Sequence, residues 1–313
     1  MSVMVTGGTG FIGNRILRLL LDRGEDVVCF DLAPPRANLA PYLDRIKLYR
    51  GDVTQVPQLL EAINIHQVHR IIHMAALLPP DTEDRPHLGM LVNIQGTNNI
   101  FEVARWTNIQ RVVYASSIAV YGVQETFGDR PVNEDDLTAP INLYGMTKAV
   151  NDFAAARYRA NYGLDIRGVR ICTVFGHGRV TGMTGMIGGL LMSLPAIGQP
   201  VAMAFDPQEA SPMIHAEDAA EIFVAVALKA QLNHPIYISG GHLATIQDLA
   251  DTVRSFIPDA RITTGDRPVP HVYSVDNSRM LADIGYEMPP LRVRVLEHIN
   301  DARREAGLET IAG

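Results

Sequence analysis

The sequence lacks several features that would place it in a membrane, secreted or disulfide-stabilised class. Its 313 residues include only two cysteines, Cys29 and Cys172, and both lie in apolar, strand-like runs. We therefore expect buried free thiols rather than a disulfide, as is usual in a reducing compartment. Apolar runs stay short of the roughly 20 residues of a membrane span, and no basic leader with a cleavage signal precedes the first apolar run. These absences predict a cytoplasmic protein without a membrane segment.

Positive charge and metal-ligand patterns are also scarce. The chain carries 27 Lys and Arg against 34 Asp and Glu, a formal net charge of −7. Nucleic acids and anionic membranes bind basic surfaces, so neither is expected as a partner. The histidines show no metal-ligand spacing, which predicts that there is no metal site. We expect structural roles for His73, His215 and His271, and if any histidine contacts a substrate we expect it to be His177.

What the sequence does contain is an alternation of short apolar runs and longer helical patterns. Hydrophobic residues make up 47% and charged residues 19%, an ordinary globular composition. Strands that are apolar throughout are typical of a parallel sheet covered on both faces, and the repeated β-α-β order predicts an α/β fold with a doubly wound sheet. The predicted strands are 3–6, 26–31, 46–52, 70–76, 111–117, 165–171 and 235–240, and the predicted helices are 12–23, 56–64, 87–107, 143–162, 216–231 and 245–256.

The composition changes after residue 175. Residues 176–205 are rich in Gly and Met and carry one formal charge, Arg179. Glycine gives backbone freedom and methionine gives an adaptable apolar surface, so this segment is either an ordinary covering loop and helix or a mobile flap over a site. We predict a dinucleotide-binding domain from residues 1–174 and 214–240, and a smaller, discontinuous substrate-binding lobe from residues 175–213 and 241–313.

A glycine-rich stretch, TGGTGFIG at residues 6–13, follows the first predicted strand and opens the first predicted helix. A tight strand-to-helix turn needs unusual backbone dihedrals, and a side chain there would keep a pyrophosphate away from the main chain. The helix N-terminus then offers free N–H groups and the positive end of its dipole. The stretch therefore predicts a dinucleotide site, with contacts expected from Gly7, Gly10, Phe11, Ile12 and Gly13.

An acidic residue ends the second predicted strand, about twenty residues after the glycines. Asp31 can accept hydrogen bonds from the adenosine ribose hydroxyls and would repel a 2′-phosphate, which favours NAD over NADP. Arg36 weakens that exclusion without reversing it. Further cofactor contacts are expected where the third and fourth strands end, from Asp52 to the adenine amino group with Val53 beside it, and from Ala75 and Ala76, whose small side chains leave room for a dinucleotide.

The motif LYGMTK, residues 143–148, places a phenol and an ammonium one helical turn apart. On a helix, Tyr144 and Lys148 share a face, with Cβ atoms roughly 5–6 Å apart. A free tyrosine has a pKa near ~10, and lowering it by about 3 units needs roughly 4 kcal/mol of differential stabilisation. A nearby ammonium and the positive nicotinamide can supply that, so we predict that Tyr144 is the general base for a substrate hydroxyl.

Taken in order, these motifs resemble those of the extended short-chain dehydrogenases/reductases, also called the NAD-dependent epimerase/dehydratase family. The resemblance covers nearly the whole chain, and it implies a Rossmann-type fold, NAD as the cofactor and oxidoreductase chemistry. The motifs that carry it are TGGTGFIG, Asp31, GDV, HMAA, VNIQGTNNI, SSIAVYG, LYGMTK, RICTVFG and IHAEDAAE.

The resemblance also implies roles for single residues. Tyr144 is the base, and Lys148 binds the nicotinamide ribose and lowers the tyrosine pKa. Ser117 matches the serine that orients the substrate, and Ser116 lies beside it, nearer the cofactor. Asn93 matches an asparagine that holds the active-site backbone or a water molecule, and we count it with the catalytic residues.

The motif SSIAVYG bears on the type of reaction. Family members that dehydrate or decarboxylate sugars carry an acidic pair where this chain has Ile118 and Ala119. Neither side chain can carry a proton, so dehydration and decarboxylation are not expected. Simple hydride chemistry remains, either net dehydrogenation or epimerisation by oxidation and return of the hydride to the other face.

The substrate positions favour a small alcohol over a nucleotide sugar. Thr173 replaces an asparagine that is usual in nucleotide-sugar epimerases, and Ser211 stands where those enzymes have an arginine for the nucleotide phosphate. Arg179 and Arg267 remain as candidate diphosphate contacts, which is little positive charge for a dianion. The expected pocket is small and apolar, formed by Leu77, Leu78, Pro79, Met183, Met186 and Met213.

We therefore expect NAD-dependent hydride transfer to or from a secondary alcohol that is a small polyol, sugar-like or partly apolar. Two alternatives remain open: a nucleotide-sugar epimerase with tightly held NAD, and a non-catalytic NAD-binding sensor or scaffold. In the family that the chain resembles, the helices at 87–107 and 143–162 commonly pair across a two-fold axis, so a homodimer is expected.

Overall fold

The computed structural model describes residues 1–35 and 37–313, with the backbone alone at 37 and 38, so the expectation for Arg36 lies outside the described residues. The seven strands of the main sheet lie close to where the apolar runs predict them, and the described residues form five further strands. In chain order the strands are β1 (Ser2–Thr6), β2 (Asp26–Asp31), β3 (Ile46–Arg50), β4 (Arg70–His73), β5 (Arg111–Ser117), β6 (Ile166–Ile171), β7 (Thr173–Phe175), β8 (Val201–Ala202), β9 (Ala210–His215), β10 (Ile236–Ile238), β11 (His242–Thr245) and β12 (Ile262–Thr263).

Helices connect these strands, and short 3-10 or π-helical turns adjoin several of them. The 3-10 turns are Ala37–Arg45, Ile118–Tyr121 and Gln124–Thr126, and the π-helical turns are Leu91–Gly96 and Met186–Leu190. The α-helices are α1 (Gly13–Asp22), α2 (Val56–His66), α3 (Asp81–Asp84), α4 (Pro86–Met90), α5 (Thr97–Trp106), α6 (Leu143–Tyr162), α7 (Gly182–Gly185), α8 (Leu191–Ala196), α9 (Ala216–Leu228), α10 (Ile246–Phe256), α11 (Ser278–Ile284) and α12 (Leu291–Glu305).

Seven strands form one parallel sheet in the order β10-β6-β5-β4-β1-β2-β3. The chain winds from β1 through β2 to β3 at one edge, returns to β4 on the other side of β1, and continues to the opposite edge. In such sheets, ligands bind at the carboxyl ends of the strands where the winding reverses, here between β1 and β4. The predicted fold class, a doubly wound parallel α/β sheet, is confirmed.

Side chains of the central strands alternate between two buried layers. Val3 and Val5 pack with α1 and α9 in one apolar cluster, whereas Met4 and Val28 pack with α2 and α5 in the other. Successive side chains of a strand point to opposite faces, and here helices cover both faces of the sheet. That is why these strands are apolar throughout instead of alternating with polar residues.

A further buried cluster is built from residues 175–213 and 244–302. It contains two small sheets, one in the order β11-β9-β7 with β11 antiparallel to β9, and one that pairs β12 with β8. Val272 and Met280, however, pack in the cluster of α1 and α9. The C-terminal part of the chain therefore packs both in this cluster and in the cluster of α1 and α9. The division into two lobes at the predicted boundaries stays a prediction.

The predicted helix over 87–107 is helical from Pro86 to Trp106, with a π-helical turn at Leu91–Gly96 between α4 and α5. The predicted strand 70–76 ends at His73, because the following residues turn across the glycine stretch. None of the helices in the described part of the chain is both long and apolar enough to cross a membrane.

Candidate active site

A cavity of about 480 Å³ opens at the carboxyl ends of β1, β4, β5 and β6. The glycine turn after β1 and the first residues of α6 form part of its wall, and residues 178–187 and 269–271 form much of the remainder. Among the residues that the structure describes, no Asp or Glu lines this cavity, whereas Lys148 and Arg179 do. The walls therefore carry cationic side chains without an acidic one to balance them.

The glycine turn packs too closely for any side chain. Gly7 has a φ of +67°, and a Cβ there would lie 2.7 Å from the backbone nitrogen of Ala75. A Cβ at Gly13 would lie 2.1 Å from the carbonyl oxygen of Gly7. The turn and the start of α1 therefore pack directly on each other and on the residues that follow β4. No side chain of Gly7 or Gly13 stands between the main chain and the cavity. All five residues predicted to bind pyrophosphate line it: Gly7, Gly10, Phe11, Ile12 and Gly13.

The residues predicted for the adenosine half lie around the same edge of the sheet but outside the cavity wall. The carboxylate of Asp31 accepts hydrogen bonds from the backbone N–H groups of Thr9 and Ala33, each at 2.9 Å. Asp52 accepts one from the N–H of Thr54 at 2.8 Å, and Val53 is buried. Asp31 thus ties the glycine turn to the end of β2, and its adenosine contact stays a prediction.

Tyr144 stands on the cavity wall in the first turn of α6. The helix begins there because Asn142 caps it, its side-chain oxygen accepting the Gly145 N–H at 2.8 Å. The phenol and the side chain of Ser117, at the end of β5, both line the cavity. Burial raises the pKa of Tyr144 above its ordinary value, while the side chain of Ser117 and the charge of Arg179 act to lower it.

Lys148 lies one turn further along the same face of α6, as predicted. Its Nζ is 5.5 Å from the centre of the Tyr144 ring and donates a hydrogen bond to the carbonyl oxygen of Ala115 at 2.8 Å. Burial lowers the pKa of Lys148 to about 8. Among the protein's own groups, Arg179 is the cation that acts to lower the pKa of Tyr144, and burial outweighs it. The role expected of Lys148 stays a prediction.

Asn93 is a positioning residue and does not line the cavity. It lies in the π-helical turn and is fully buried. Its Oδ1 accepts the N–H of Leu77 at 2.7 Å, and its Nδ2 donates to the carbonyl oxygen of Leu77 at 3.0 Å. The same Nδ2 donates to Thr147 on α6 at 3.2 Å. Asn93 thus joins the loop after β4 to α6, as expected for an asparagine that holds the backbone beside the site, and its place among the catalytic residues stays a prediction.

Two predicted substrate residues point into packed protein instead. Met213 on β9 is fully buried in the cluster of residues 175–213 and 244–302, because β9 is the middle strand of its small sheet. The imidazole of His177 hydrogen-bonds Ser193 at 3.0 Å and also contacts Glu305. The structure therefore places His177 against α8 and α12 and not in the cavity.

The other predicted substrate residues divide into those that reach the cavity and those that do not. Arg267 is exposed and does not line the cavity, and its guanidinium lies 5.9 Å from the centre of the Phe205 ring. Leu77 is held by Asn93 and does not line the cavity. The remaining residues proposed for the cofactor, the reaction or the pocket that do line it are Ala76, Leu78, Pro79, Ser116, Ser117, Thr173, Arg179 and Met183, whereas Ala75 and Met186 do not.

A polar pair that the sequence expectation missed stands on the wall formed by the C-terminal half. Nδ1 of His271 is 2.8 Å from the carbonyl oxygen of Val269 and must donate to it. Nε2 of the neutral ring then accepts the hydroxyl of Ser211 at 2.8 Å. Burial lowers the pKa of His271, which keeps the ring neutral. Nothing in the sequence joins positions 60 residues apart, so only the packing of β9 against this loop could reveal the pair.

The described residues fit a dinucleotide and do not suggest a metal. Ser116 lines the cavity, and its buried hydroxyl has no hydrogen-bond partner among the described residues. A ligand hydroxyl or amide at that place would satisfy it. The glycine turn supplies main-chain N–H groups at the start of α1. In the described part of the chain, no three His, Cys, Asp or Glu side chains are grouped as metal ligands would be.

A sequence profile of the NAD dependent epimerase/dehydratase family matches residues 3–239 of the chain. D-erythronate dehydrogenase from Cupriavidus necator is 32% identical over 189 residues, which cover 56% of this chain and 55% of the relative. UDP-glucuronate 4-epimerase 6 from Arabidopsis thaliana is 31% identical over 193 residues, which cover 56% of this chain and 40% of the relative. The chain thus spans about half the length of the curated relatives it matches.

Solved structures match the fold along nearly the whole chain. The UDP-glucose 4-epimerase of Thermus thermophilus, solved in complex with NAD, superimposes with a TM-score of 0.85 at 23% identity. The match covers 97% of this chain and 99% of that one. At this level of identity the likeness establishes the fold, and the chemistry has to be argued from the residues of the cavity.

Proposed function

The chain belongs to the NAD dependent epimerase/dehydratase family, and from that premise we propose that it is an NAD-dependent dehydrogenase of a small secondary alcohol. One arrangement carries this proposal. Tyr144, Ser117 and the glycine turn line one cavity, and the side chain of Ser117 acts on the phenol to lower its pKa. A base, a partner that orients the substrate oxygen and a dinucleotide cradle therefore share one cavity.

The residues of the cavity divide the reaction between them. Ser117 donates a hydrogen bond to the substrate oxygen, and Tyr144 takes the hydroxyl proton, or returns it in the reverse direction. NAD⁺, when bound, supplies the acceptor for the hydride that leaves the alcohol carbon. Lys148, fixed by its hydrogen bond to Ala115, holds the ribose beside that carbon. We assign Ser116, with its unsatisfied hydroxyl, to the cofactor side.

Two features support dehydrogenation over the other reactions of the family. Ile118 and Ala119 line the cavity where a dehydratase would need an acid, so no described residue at that place can protonate a leaving group. Arg267 does not line the cavity, and Ser211 supplies a neutral hydroxyl. Of the two arginines considered for a diphosphate, Arg179 alone is on the cavity wall in the described part of the chain, which is little positive charge for a dianion. A small alcohol fits this lining better.

A second candidate is a nucleotide-sugar epimerase that keeps its NAD bound. It is supported by the relative named as a UDP-glucuronate 4-epimerase, although the relative named as a D-erythronate dehydrogenase supports the first candidate equally. A non-catalytic NAD-binding sensor is the third, and it would carry the same cavity without turnover. These candidates differ in whether NADH accumulates.

The test is a reduction screen with the Tyr144→Phe variant beside the wild type. Purified protein is mixed with NAD⁺ and a panel of small alcohols, hydroxy acids and nucleotide sugars, and NADH is followed by absorbance. We expect NADH to accumulate with one small alcohol class and turnover to fall by at least about 100-fold in Tyr144→Phe, with NAD⁺ affinity retained. Conversion of a nucleotide sugar without NADH release would favour the epimerase, and no turnover on any compound would favour the sensor.

We also propose a homodimer, a cytoplasmic location and the two-lobe division given above. Apolar side chains stand exposed on α4, on α6 and between them, among them Met90, Leu91 and Phe153, with 71% of Phe153 exposed. A second copy of the chain would cover them. Cys29 and Cys172 are free and buried, which suits a reducing compartment.

A further inference from the structure

One cationic side chain on the cavity wall lacks a counterion. Arg179 donates from Nη2 to the hydroxyl of Thr184 at 2.6 Å, and its guanidinium lies 5.9 Å from the centre of the Phe11 ring. Its Nε is buried and has no hydrogen-bond partner among the described residues. Arg179 forms no ion pair with any carboxylate in the described part of the chain. This contrasts with Arg170, which is more deeply buried than Arg179 and is paired with Asp152 at 2.9 Å.

An unpaired guanidinium in such a place is unfavourable for folding. Burial lowers the pKa of Arg179, which reports the cost of removing the charge from water. A protein with only structural needs would pair it, as it pairs Arg170, or replace it with an apolar residue. The free Nε–H therefore points to an anion that arrives with a ligand.

The surroundings of Arg179 are those of a carboxylate site. The guanidinium offers a planar fork of N–H donors, which matches the two oxygens of a carboxylate. The hydroxyl of Thr184 accepts from Arg179, so its own proton remains free to donate to the same anion. Lys148 and Arg179 line the cavity, and no described Asp or Glu does, so an anion meets no repulsion there.

Two anions can reach Arg179, the pyrophosphate and a charged substrate, because its guanidinium lies 5.9 Å from the centre of the Phe11 ring in the glycine turn and it lines the cavity together with Tyr144. The pyrophosphate already has the main-chain N–H groups at the start of α1. A molecule that bridges Arg179 and Tyr144 carries a carboxylate and a hydroxyl a few bonds apart.

We propose that Arg179 and Thr184 bind the carboxylate of a small hydroxy acid whose hydroxyl is presented to Tyr144 and Ser117. This inference rests on the proposed dehydrogenase function and names its substrate class. Oxidation then converts the secondary alcohol of the acid to a ketone, with the hydride passing to NAD⁺ and the hydroxyl proton to Tyr144. The carboxylate stays bound to Arg179 throughout and takes no part in the bond changes.

The test measures binding without turnover, in protein that carries Tyr144→Phe and is loaded with NADH. Calorimetry compares three acids with counterparts that carry an alcohol in place of the carboxylate: erythronate with erythritol, β-hydroxybutyrate with the corresponding butanediol, and threonine with threoninol. The same titrations are run after adding Arg179→Met, and after adding Arg267→Met as the matched control on an exposed arginine outside the cavity. NADH affinity is measured separately for each variant by fluorescence.

We expect at least one acid to bind more tightly than its counterpart, and Arg179→Met to weaken that acid by about 10- to 100-fold. Arg179→Met should change the affinity for the counterpart alcohol and for NADH by less than about threefold. Arg267→Met should change the affinity for the acid by less than about threefold. The affinity of the Arg179→Lys protein for the acid should lie between those of the protein with Arg179 and the Arg179→Met protein, because lysine keeps the charge without the planar fork.

Two results would overturn the assignment to a hydroxy acid. In the first, no acid binds more tightly than its counterpart without the carboxylate, or Arg179→Met weakens the affinity for both members of a pair equally. In the second, NADH affinity falls by about tenfold or more while the preference for the acid is kept, which would assign Arg179 to the cofactor phosphates. Neither result depends on turnover, so this inference can fail while the Tyr144→Phe result still supports a dehydrogenase.

Discussion

The ammonium of Lys148 lies 5.5 Å from the centre of the Tyr144 ring while it donates a hydrogen bond to the main chain of β5 at Ala115. The two side chains share a helix face, so their spacing follows from the sequence. The hydrogen bond does not, because it requires α6 to pack beside the carboxyl end of β5. It anchors a buried cation next to the reacting phenol, at a cost in stability.

The Lys148→Met protein should be more stable than the wild type and less active. Burial lowers the pKa of Lys148 to about 8, below the 10.5 of a free lysine, so the ammonium is destabilising at neutral pH. We expect the free energy of unfolding of the Lys148→Met protein at pH 7 to rise by about 1–3 kcal/mol, measured by urea denaturation. Its catalytic efficiency should fall by about 100-fold, since a cation beside the phenol and the ribose is lost.

The pH dependence of this stability difference has a definite sign. Between about pH 8 and pH 10.5 the unfolded chain keeps the lysine proton and the folded protein releases it, so the wild type gains stability relative to Lys148→Met as the pH rises through that window. Lys47→Met is the matched control, because Lys47 is exposed and pairs with Asp26 at the surface. A Lys148→Met protein less stable than the wild type at pH 7 would contradict this account.

The Ser211–His271 pair should act on substrate binding as one unit. The hydroxyl of Ser211 and the neutral imidazole of His271 lie on the part of the cavity wall that the C-terminal half forms. Each fixes the other's orientation. We expect Ser211→Ala and His271→Ala each to raise KM by about tenfold, with kcat nearly unchanged. The double variant should be no worse than either single one, because loss of one partner already releases the other.

Ser193 provides the control for that experiment. It is also a serine bonded to histidine, through its contacts with His177 and His298, but it lies outside the cavity wall. Ser193→Ala should leave KM as in the wild type. Additive effects of the Ser211 and His271 substitutions, or a change confined to kcat, would show that the pair does not hold the substrate as a unit.

Phe153 should lie in the interface of the proposed homodimer. It is 71% exposed on α6, a large apolar side chain on a helix that also exposes Val150 and Tyr162. We expect sedimentation at micromolar concentration to show a dimer for the wild type and a monomer for Phe153→Glu, since a charge buried at an apolar contact is costly.

Leu137 offers a matched surface change away from α6. It is 86% exposed in the loop before that helix, so Leu137→Glu should remain dimeric. A wild-type protein that sediments as a monomer, or a Phe153→Glu protein that stays dimeric, would remove Phe153 from the interface.

The pattern of apolar residues predicted the parallel sheet well because each central strand is buried on both faces. It predicted α6 to its exact bounds, since Asn142 and Gly163 mark its two ends. It also predicted the helix over 87–107, where the backbone is helical from Pro86 to Trp106, but not the π-helical turn at Leu91–Gly96 within it. Asn93 in that turn binds the backbone of Leu77, and periodicity does not report a contact with another part of the chain.

The sequence by itself determined the sheet, the glycine turn and the spacing of Tyr144 and Lys148, because each depends on residues close together in the chain. The tertiary structure decided which side chains share the cavity. It placed His271 beside Ser211, left Arg179 without a counterion and removed Met213 and His177 from the site. Those outcomes depend on how residues 175–213 pack against the C-terminal part, and contacts between distant segments leave no periodic signal in a single sequence.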